Sequence, residues 1–385
     1  MADPRSTRRT FLGRAGSLAL ASSLAGCGIE GTLERARQAA TPVAAVHHPK
    51  VPLGNWTFSN WPLYIDKSVL KTFDKRYGGH VNYIEDINDN DEFLGKVRQQ
   101  LQAGEPIGRD IVVLTDYMSL KWVRNRWLEP LDKTNLPNVT ANLVDHLRTI
   151  PYDKKRQYTV PWQSGAVGLG YNPKNTGRDL SSVHDLFDPA FKGKVTMLSE
   201  PYDSAGTVLL GMGVDPTTAS IDQILQAIEK IDQANNAGQF RRFTGNDYTT
   251  DLTKGNIWVA LAYSGDIVQL QSDNPELRFV YPDEGAMMFT DNMMIPAHAE
   301  HVYAAETMMN FVYEPEIAAK IALYVNYLSP VKGVKEIVEK SDPDLANNPL
   351  VFPSDEILNQ LHAYPALSDT DERTMKEAMA KVVGA

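Results

Sequence analysis

Short apolar segments typical of β-strands alternate along this chain with amphipathic segments typical of α-helices, and this alternation restricts the fold more than any other feature. Val, Ile and aromatic residues dominate the predicted strands, which cover residues 56–59, 81–84, 111–114, 168–171, 195–198, 258–263, 279–281 and 293–295. Apolar residues recur at helical spacing after Asp66, before Gly104, after Ser220 and within 304–312, and the chain from Pro353 onward is predicted to be mostly helical. The alternation predicts an α/β fold.

The first 26 residues have the pattern of an export signal that is removed from the mature protein. Four arginines precede an apolar stretch of small residues at 15–25, which is too short to span a bilayer. Arg8 and Arg9, followed by Phe11 and Leu12, resemble the twin-arginine export pattern. An ordinary secretory signal with a basic start is the alternative interpretation.

Residues 24–27, Leu-Ala-Gly-Cys, resemble a lipobox, in which the cysteine is acylated and becomes the first residue of the mature chain. Cys27 is the only cysteine, so an internal disulfide and a Cys-rich metal site are excluded, and acylation of Cys27 would exclude Cys-based catalysis. Residues 27–53 are interpreted as the lipidated Cys27 and a flexible tether, because Ala, Thr, Gly and Pro are frequent there. We therefore predict a periplasmic or cell-surface protein that a lipid anchors to a membrane.

The formal net charge of −10 argues against nucleic-acid binding and favours attraction of cationic ligands. The sequence contains no H-E-x-x-H, G-x-S-x-G or Walker-type phosphate loop. His298 and His301 form an H-x-x-H pair, which we interpret as the start of an exposed helix and not as a metal site. We expect no metal, no cofactor and no catalysis.

A set of motifs occurs in a fixed order along residues 54–382. It comprises Asn-Trp-Pro-Leu-Tyr at 60–64, Thr-Asp-Tyr at 115–117, Gly-Leu-Gly-Tyr-Asn at 168–172, Phe-Thr-Asp at 289–291 and Asn-Tyr-Leu-Ser-Pro at 326–330. No single motif is decisive, but the ordered set resembles the spermidine/putrescine-binding proteins of polyamine ABC importers. This resemblance implies an extracytoplasmic receptor that binds a polyamine and delivers it to permease subunits in the membrane. We expect a monomer.

The resemblance also implies a two-lobed clamshell of the type II periplasmic-binding-protein class, whose lobes are joined by crossover strands. The first lobe would comprise residues 54–163 and 290–333, and the second lobe residues 164–289 and 334–385. The hinges would then lie near 161–165 and 285–290.

A polyamine is a chain of methylenes with ammonium groups at fixed spacing, so its site needs carboxylates along an aromatic slot. The resemblance places a set of residues at such a site: the aromatics Trp61, Tyr64, Tyr117, Tyr263, Phe289 and Tyr327, the hydroxyl of Thr115, and the acids Glu200, Asp203 and Asp291. Asp291 is the strongest candidate, because an acid between two Met-Met pairs is hard to explain structurally. Glu200 and Asp203 could instead cap the helix that follows them.

One departure from the family pattern leaves the choice of ligand open. Pro62 and Leu63 occupy positions where a hydroxyl and an acid are usual, so one amine-binding carboxylate is missing, and Asp116 is predicted to compensate. Another cationic or small organic solute on the same fold is therefore one alternative. A hydrolase or lyase that uses Asp291 and Glu200 as acid and base is another, although the sequence offers it no nucleophile or metal cluster.

Overall fold

The computed structural model describes residues 46–384, so the predictions for the signal 1–26 and for Cys27 lie outside the described residues. Within that range ten strands form one sheet. They are β1 (Asn55–Asn60), β2 (His80–Glu85), β3 (Ile111–Thr115), β4 (Thr159–Tyr171), β5 (Val195–Leu198), β6 (Phe240–Thr244), β7 (Val259–Tyr263), β8 (Arg278–Val280), β9 (Ala286–Met294) and β10 (Leu361–His362).

Helices fill most of the connections between the strands. In the described part of the chain they are α1 (Lys67–Tyr77), α2 (Asn90–Ala103), α3 (Asp116–Asn125), α4 (Pro137–Asn142), α5 (Pro173–Thr176), α6 (Pro201–Gly211), α7 (Ile221–Asn236), α8 (Tyr248–Thr253), α9 (Ser264–Leu270), α10 (Val302–Phe311), α11 (Pro315–Val325), α12 (Val334–Ser341), α13 (Pro343–Ala346), α14 (Asp355–Leu358) and α15 (Asp369–Val383). The predicted α/β class is confirmed.

The predicted helix signals act where the sequence places them. The Asp66 side chain accepts a hydrogen bond from the Ser68 amide at the start of α1, and Gly78 ends that helix at a φ of 73°. Ser220 and Gln223 form a capping box at the start of α7, which satisfies two amides that the helix itself leaves unpaired. These local contacts fix the helix ends before any tertiary contact is considered.

Strands β4 and β9 pair antiparallel over most of their length and connect two groups of strands. One half of β9 pairs with β3, and β3 continues through β1 to β2. The opposite half of β4 pairs with β7 and β8, and β7 continues through β5 to β6. The partners of both strands change near the predicted hinges. The predicted lobe boundaries are compatible with this change and stay a prediction.

The sequence underestimates β4 and β9, and it misses β6 and β10. Only residues 168–171 of β4 and the end of β9 are predicted, because Pro161, Gln163 and the Thr-Asp-Asn run at 290–292 interrupt the apolar pattern. All of these residues are buried in the structure. In β6 two exposed arginines occupy the middle of the strand. The helical prediction from Pro353 onward is wrong between α14 and α15, where β10 and an irregular segment lie.

The end of the predicted tether packs against the folded part of the chain. The His48 ring nitrogen lies 2.8 Å from Glu306 Oε1, the His48 amide donates to Asp132 at 3.0 Å, and Leu53 is buried. In the described range no helix is long and apolar enough to cross a membrane.

Candidate functional site

A cavity of about 630 Å³ lies where β1, β3, β5 and β7 end. Loops and helix starts that follow these strands carry most of its lining, as expected for an open α/β sheet. Among residues 46–384, its lining contains no Lys, Arg or His, and it contains six acids: Asp89, Glu200, Asp203, Asp247, Asp266 and Asp291. The cavity is therefore strongly acidic and has no internal counterion.

Most of the predicted ligand-binding residues meet in this cavity. Ten line it: Trp61, Tyr64, Thr115, Tyr117, Glu200, Asp203, Tyr263, Phe289, Asp291 and Tyr327. They come from distant parts of the chain, and β9 brings Phe289 and Asp291 beside the residues that follow β1 and β3. The structure thus groups these side chains, and their contact with a ligand stays a prediction.

Asp291 lies in β9 opposite Thr115 of β3, with which it is in register. Its carboxylate accepts hydrogen bonds from the Tyr64 hydroxyl at 2.9 Å and from Thr115 Oγ1 at 2.8 Å. Asp291 is only 5% exposed, and burial raises its pKa to about 7 despite these two hydrogen bonds. A cation that enters the cavity would stabilise the ionised form and lower this pKa.

Glu200 follows β5 at the N-cap position of α6, but its side chain makes no cap hydrogen bond. Its carboxylate instead accepts from the Tyr117 hydroxyl at 2.9 Å, and the Asn90 amide donates to that hydroxyl at 2.8 Å. Burial raises the pKa of Glu200 well above its usual range, and the neighbouring Asp89 carboxylate adds to the effect. The capping alternative for Glu200 is therefore wrong.

Asp203 lies in the first turn of α6 and also has partners other than the helix backbone. Its two oxygens accept from the hydroxyls of Tyr263, at 2.9 Å, and Tyr364. Burial raises its pKa to about 6. The sequence misses Tyr364, because this residue lies in the irregular segment that is predicted to be helical.

Asp266 is an acid that the sequence analysis misses. It lies in the first turn of α9, which follows β7 directly, and it accepts from the hydroxyls of Tyr327 at 2.9 Å and Tyr248 at 2.8 Å. Burial raises its pKa. An acid three residues after a predicted strand end is the signal that could have identified it, because such positions lie at the cavity edge of the sheet.

Asp116 does not line the cavity, so the structure gives no support to its predicted role as a replacement acid. Its carboxylate accepts from the Tyr152 hydroxyl and from the Asn292 amide, both at 2.8 Å. Asn292 follows Asp291 in β9, and successive side chains of a strand point to opposite faces. Asp116 therefore pairs with the face of the sheet that points away from the cavity.

The aromatic side chains form a connected wall. Tyr64 packs edge-on against Tyr327 at a ring distance of 5.6 Å, Tyr327 contacts Phe289 at 6.0 Å, and Phe289 contacts Tyr263 at 5.5 Å. Trp61 is fixed separately, because its indole N–H donates to the Val113 carbonyl at 3.0 Å. Such ring faces can pack against methylenes and attract ammonium groups.

Two glycines make room for this wall. A Cβ atom on Gly165 would lie 2.5 Å from the Phe289 ring, and one on Gly265 would lie 2.5 Å from the Tyr327 ring. Real side chains do not approach so closely, so the position of each ring depends on the absence of a side chain opposite it.

The carboxylates of the cavity have hydrogen-bond donors but no cationic partner among the described lining residues. Four carboxylates, two buried (Asp203 and Asp291) and two half-buried, accept hydrogen bonds from tyrosine and threonine hydroxyls, which carry no charge. Buried charge without a counterion is unfavourable, so these carboxyls favour the protonated form unless a cation binds and replaces their protons.

Comparison with known proteins identifies the family. Residues 68–353 match the model of the bacterial extracellular solute-binding proteins. The putrescine-binding periplasmic protein SpuD of Pseudomonas aeruginosa is 30% identical over 342 residues, which cover 84% of this chain and 90% of that protein. The chain belongs to the bacterial extracellular solute-binding protein family.

Two further relatives extend the match. The spermidine/putrescine-binding periplasmic protein 1 of Haemophilus influenzae is 26% identical over 78% of this solute-binding protein and 81% of its own length. The crystal structure of the TpPotD lipoprotein of Treponema pallidum has a TM-score of 0.74 at 20% identity, covering 86% of this chain and 99% of that chain. This likeness confirms the predicted type II periplasmic-binding-protein fold of the solute-binding protein.

Proposed function

We propose that this solute-binding protein is the polyamine receptor of an ABC importer and that spermidine or putrescine binds in the acidic cavity. One observation carries the proposal: the cavity holds four buried or half-buried carboxylates beside an aromatic wall, and its lining in residues 46–384 contains no Lys, Arg or His. A polyamine supplies ammonium groups for the acids and methylenes for the rings. Relatives that are named for putrescine or spermidine binding support the same ligand class.

The proposed binding mode assigns each part of the ligand to a part of the cavity. One ammonium contacts Asp291, and another contacts the pair of Glu200 and Asp203. The methylenes between them pack against Phe289 and Tyr327. The ligand draws two lobes together about the crossover strands β4 and β9, and the closed form docks on the permease.

The proposal also covers how the protein is exported and held at the membrane. The family is one of transport proteins, so the solute-binding protein delivers its ligand without changing it. We infer that residues 1–26 direct export and that acylated Cys27 holds the monomeric protein at the membrane. Cys27→Ser should therefore release the protein into the soluble fraction of cells. Continued membrane association of this variant would contradict the anchor.

A calorimetric titration with putrescine, cadaverine, spermidine and spermine tests the ligand class. We expect at least one of these amines to bind with a 1:1 stoichiometry and to raise the melting temperature by mass action. Glutamate serves as an anionic control that should not bind, because the cavity offers it no cation. Failure of every amine to bind would refute the proposal.

A further inference from the structure

A second cavity, of about 420 Å³, adjoins the acidic one. Leu63 and Gln269 line both cavities and therefore mark the boundary between them. A ligand that fills the acidic cavity and passes between these two side chains would enter the second cavity. The chemistry of the lining of the second cavity therefore indicates which end group the ligand carries.

The second cavity is neutral. Val268, Tyr324 and Leu345 supply apolar surface, and Ser272 and Asn326 supply uncharged polar groups. Among the described residues its lining includes no carboxylate and no basic side chain. An ammonium group placed here would lose water without gaining a counterion, whereas an uncharged group would lose little.

Leu63 is held at the boundary in an unusual conformation. Its φ is 55°, a left-handed value that is strained for a bulky residue, and its side chain is 58% exposed. Its amide donates to Glu85 Oε1 at 3.2 Å, which helps to hold this backbone. Tyr324, on the same cavity, is 40% exposed. Strain that keeps an apolar side chain exposed at the mouth of a cavity points to contact with a ligand.

Gln269 is suited to contact a polar but uncharged group. Its Nε2 donates to the Val325 carbonyl at 2.9 Å, which fixes the orientation of its amide. A neighbouring amide N–H of a ligand can then donate to this side chain, while the carbon atoms beside that N–H pack on Leu63 and Tyr324. These two kinds of contact fit an acylated nitrogen.

We propose that the protein binds polyamines that are acylated on one terminal nitrogen, with the free ammonium groups in the acidic cavity and the neutral acyl end in the second cavity. The proposal deepens the polyamine function and rests on it. It also accounts for the acid that is missing at Leu63, because an acylated nitrogen carries no charge for that acid to balance.

The test compares spermidine with its two mono-N-acetyl derivatives by calorimetry. For the wild-type protein, we expect at least one acetyl derivative to bind within about threefold of spermidine or more tightly, although it has lost one of three charges. Leu63→Asp should reverse the preference, so that spermidine binds at least about tenfold more tightly than either derivative. Asp tolerates a left-handed φ better than Leu, so this variant should fold, and its melting temperature checks this.

Met212→Asp is the matched control, because Met212 is also exposed and lines neither cavity. It should leave both affinities unchanged. If spermidine binds but both acetyl derivatives bind more than about tenfold more weakly, the acyl proposal is refuted and the polyamine function stands. If no amine binds, the polyamine function itself fails.

Two further outcomes would also overturn the proposal. Leu63→Asp could change the affinity for spermidine and for the acetyl derivatives by the same factor, which would show that Leu63 does not face the acylated end of the ligand. Alternatively, Leu63→Asp and Tyr324→Ala could leave both affinities unchanged and abolish uptake in cells. The second cavity would then be a docking surface for the permease and not a ligand subsite.

Discussion

The pH dependence of ligand affinity offers a direct test of Asp291. Burial raises the pKa of this carboxyl to about 7, so a large fraction of the ligand-free protein should carry a proton there at neutral pH. A bound ammonium favours the ionised carboxylate, so a proton must leave as the ligand enters. Affinity should therefore increase as the pH rises through about 7 and decrease as the pH falls.

The magnitude follows from the ionised fraction. A carboxyl with a pKa of about 7 is ionised to about 50% at pH 7 and to about 3% at about pH 5.5, which weakens binding about 16-fold. Asp203, whose pKa burial raises to about 6, adds a factor of about 4 over the same interval. Putrescine keeps its charges throughout, so these two acids together should weaken its binding about 60-fold, and the raised pKa of Glu200 should add to this decrease.

Asp291→Asn separates the contribution of Asp291 from the rest. The amide oxygen can still accept from one of the two hydroxyls of Tyr64 and Thr115, and its Nδ2 can donate to the other, but the amide cannot ionise. Loss of one charge-assisted contact to a buried cation costs about 2–4 kcal/mol, so the dissociation constant at pH 7 should rise about 30-fold to about 1000-fold. The decrease in affinity between pH 7 and about 5.5 should shrink by the factor of about 16 that Asp291 supplies, which leaves the contributions of Asp203 and Glu200.

The assay is calorimetric titration with putrescine in buffers of different ionisation enthalpy, which also measures the protons released. Asp222→Asn is the control, because Asp222 is an exposed acid in α7 that lies outside the cavity. It should behave like the wild-type protein. The reasoning would be refuted if Asp291→Asn kept the full pH dependence, or if its affinity stayed within about threefold of wild type.

Three further predictions concern the ring packing, an ion-pair cluster and the pH dependence of the melting temperature. Gly265→Ala should lower the unfolding free energy by about 1–3 kcal/mol and weaken putrescine binding, because the added Cβ displaces Tyr327. Gly95→Ala is the control and should not destabilise the protein, because a Cβ at Gly95 meets open space. Lys376→Met should lower the unfolding free energy by about 1–2 kcal/mol, because Lys376 pairs with Asp91 and the buried Glu372 at 2.6 and 2.7 Å. Lys96→Met is the control and should cost at most about 0.5 kcal/mol, because the ion pair of Lys96 is exposed. In the ligand-free protein, the contribution of Asp203 and Asp291 to the melting temperature should decrease as the pH rises from about 4 to about 7. The reason is that their raised pKa values make the folded state bind more protons than the unfolded state in this pH range. Asp291→Asn should reduce this contribution, and an unchanged melting profile in that variant would contradict the assignment.

Parts of the fold follow from local sequence because local contacts fix them. The predicted strand at 195–198 has the same bounds as β5 in the structure, and the caps at Asp66 and Ser220 start the predicted helices. An apolar run or a capping side chain acts within a few residues, so its effect can be read along the chain.

The long crossover strands were only partly predictable, for a physical reason. Their centres carry Gln163, Ser164 and the run from Thr290 to Asn292, and all of these polar residues are buried. Burial of polar groups is tolerable when hydrogen-bond partners from other strands satisfy them, as when Ser164 pairs with Thr290 at 2.9 Å. Those partners lie more than a hundred residues away, so no local pattern reveals them.

The candidate site divides in the same way. The sequence by itself determined an acidic chain with α/β alternation and an ordered set of motifs that identified Glu200, Asp203 and Asp291 as candidates, because residue types and their order persist without coordinates. Only the tertiary structure decided that Asp266 and Tyr364 face the cavity, that Asp116 pairs with Asn292 on the other face of the sheet, and that Leu63 lies between an acidic and a neutral cavity. Which face a side chain takes, and which distant groups it meets, depends on strand register and long-range packing, and these arise only when the whole sheet assembles.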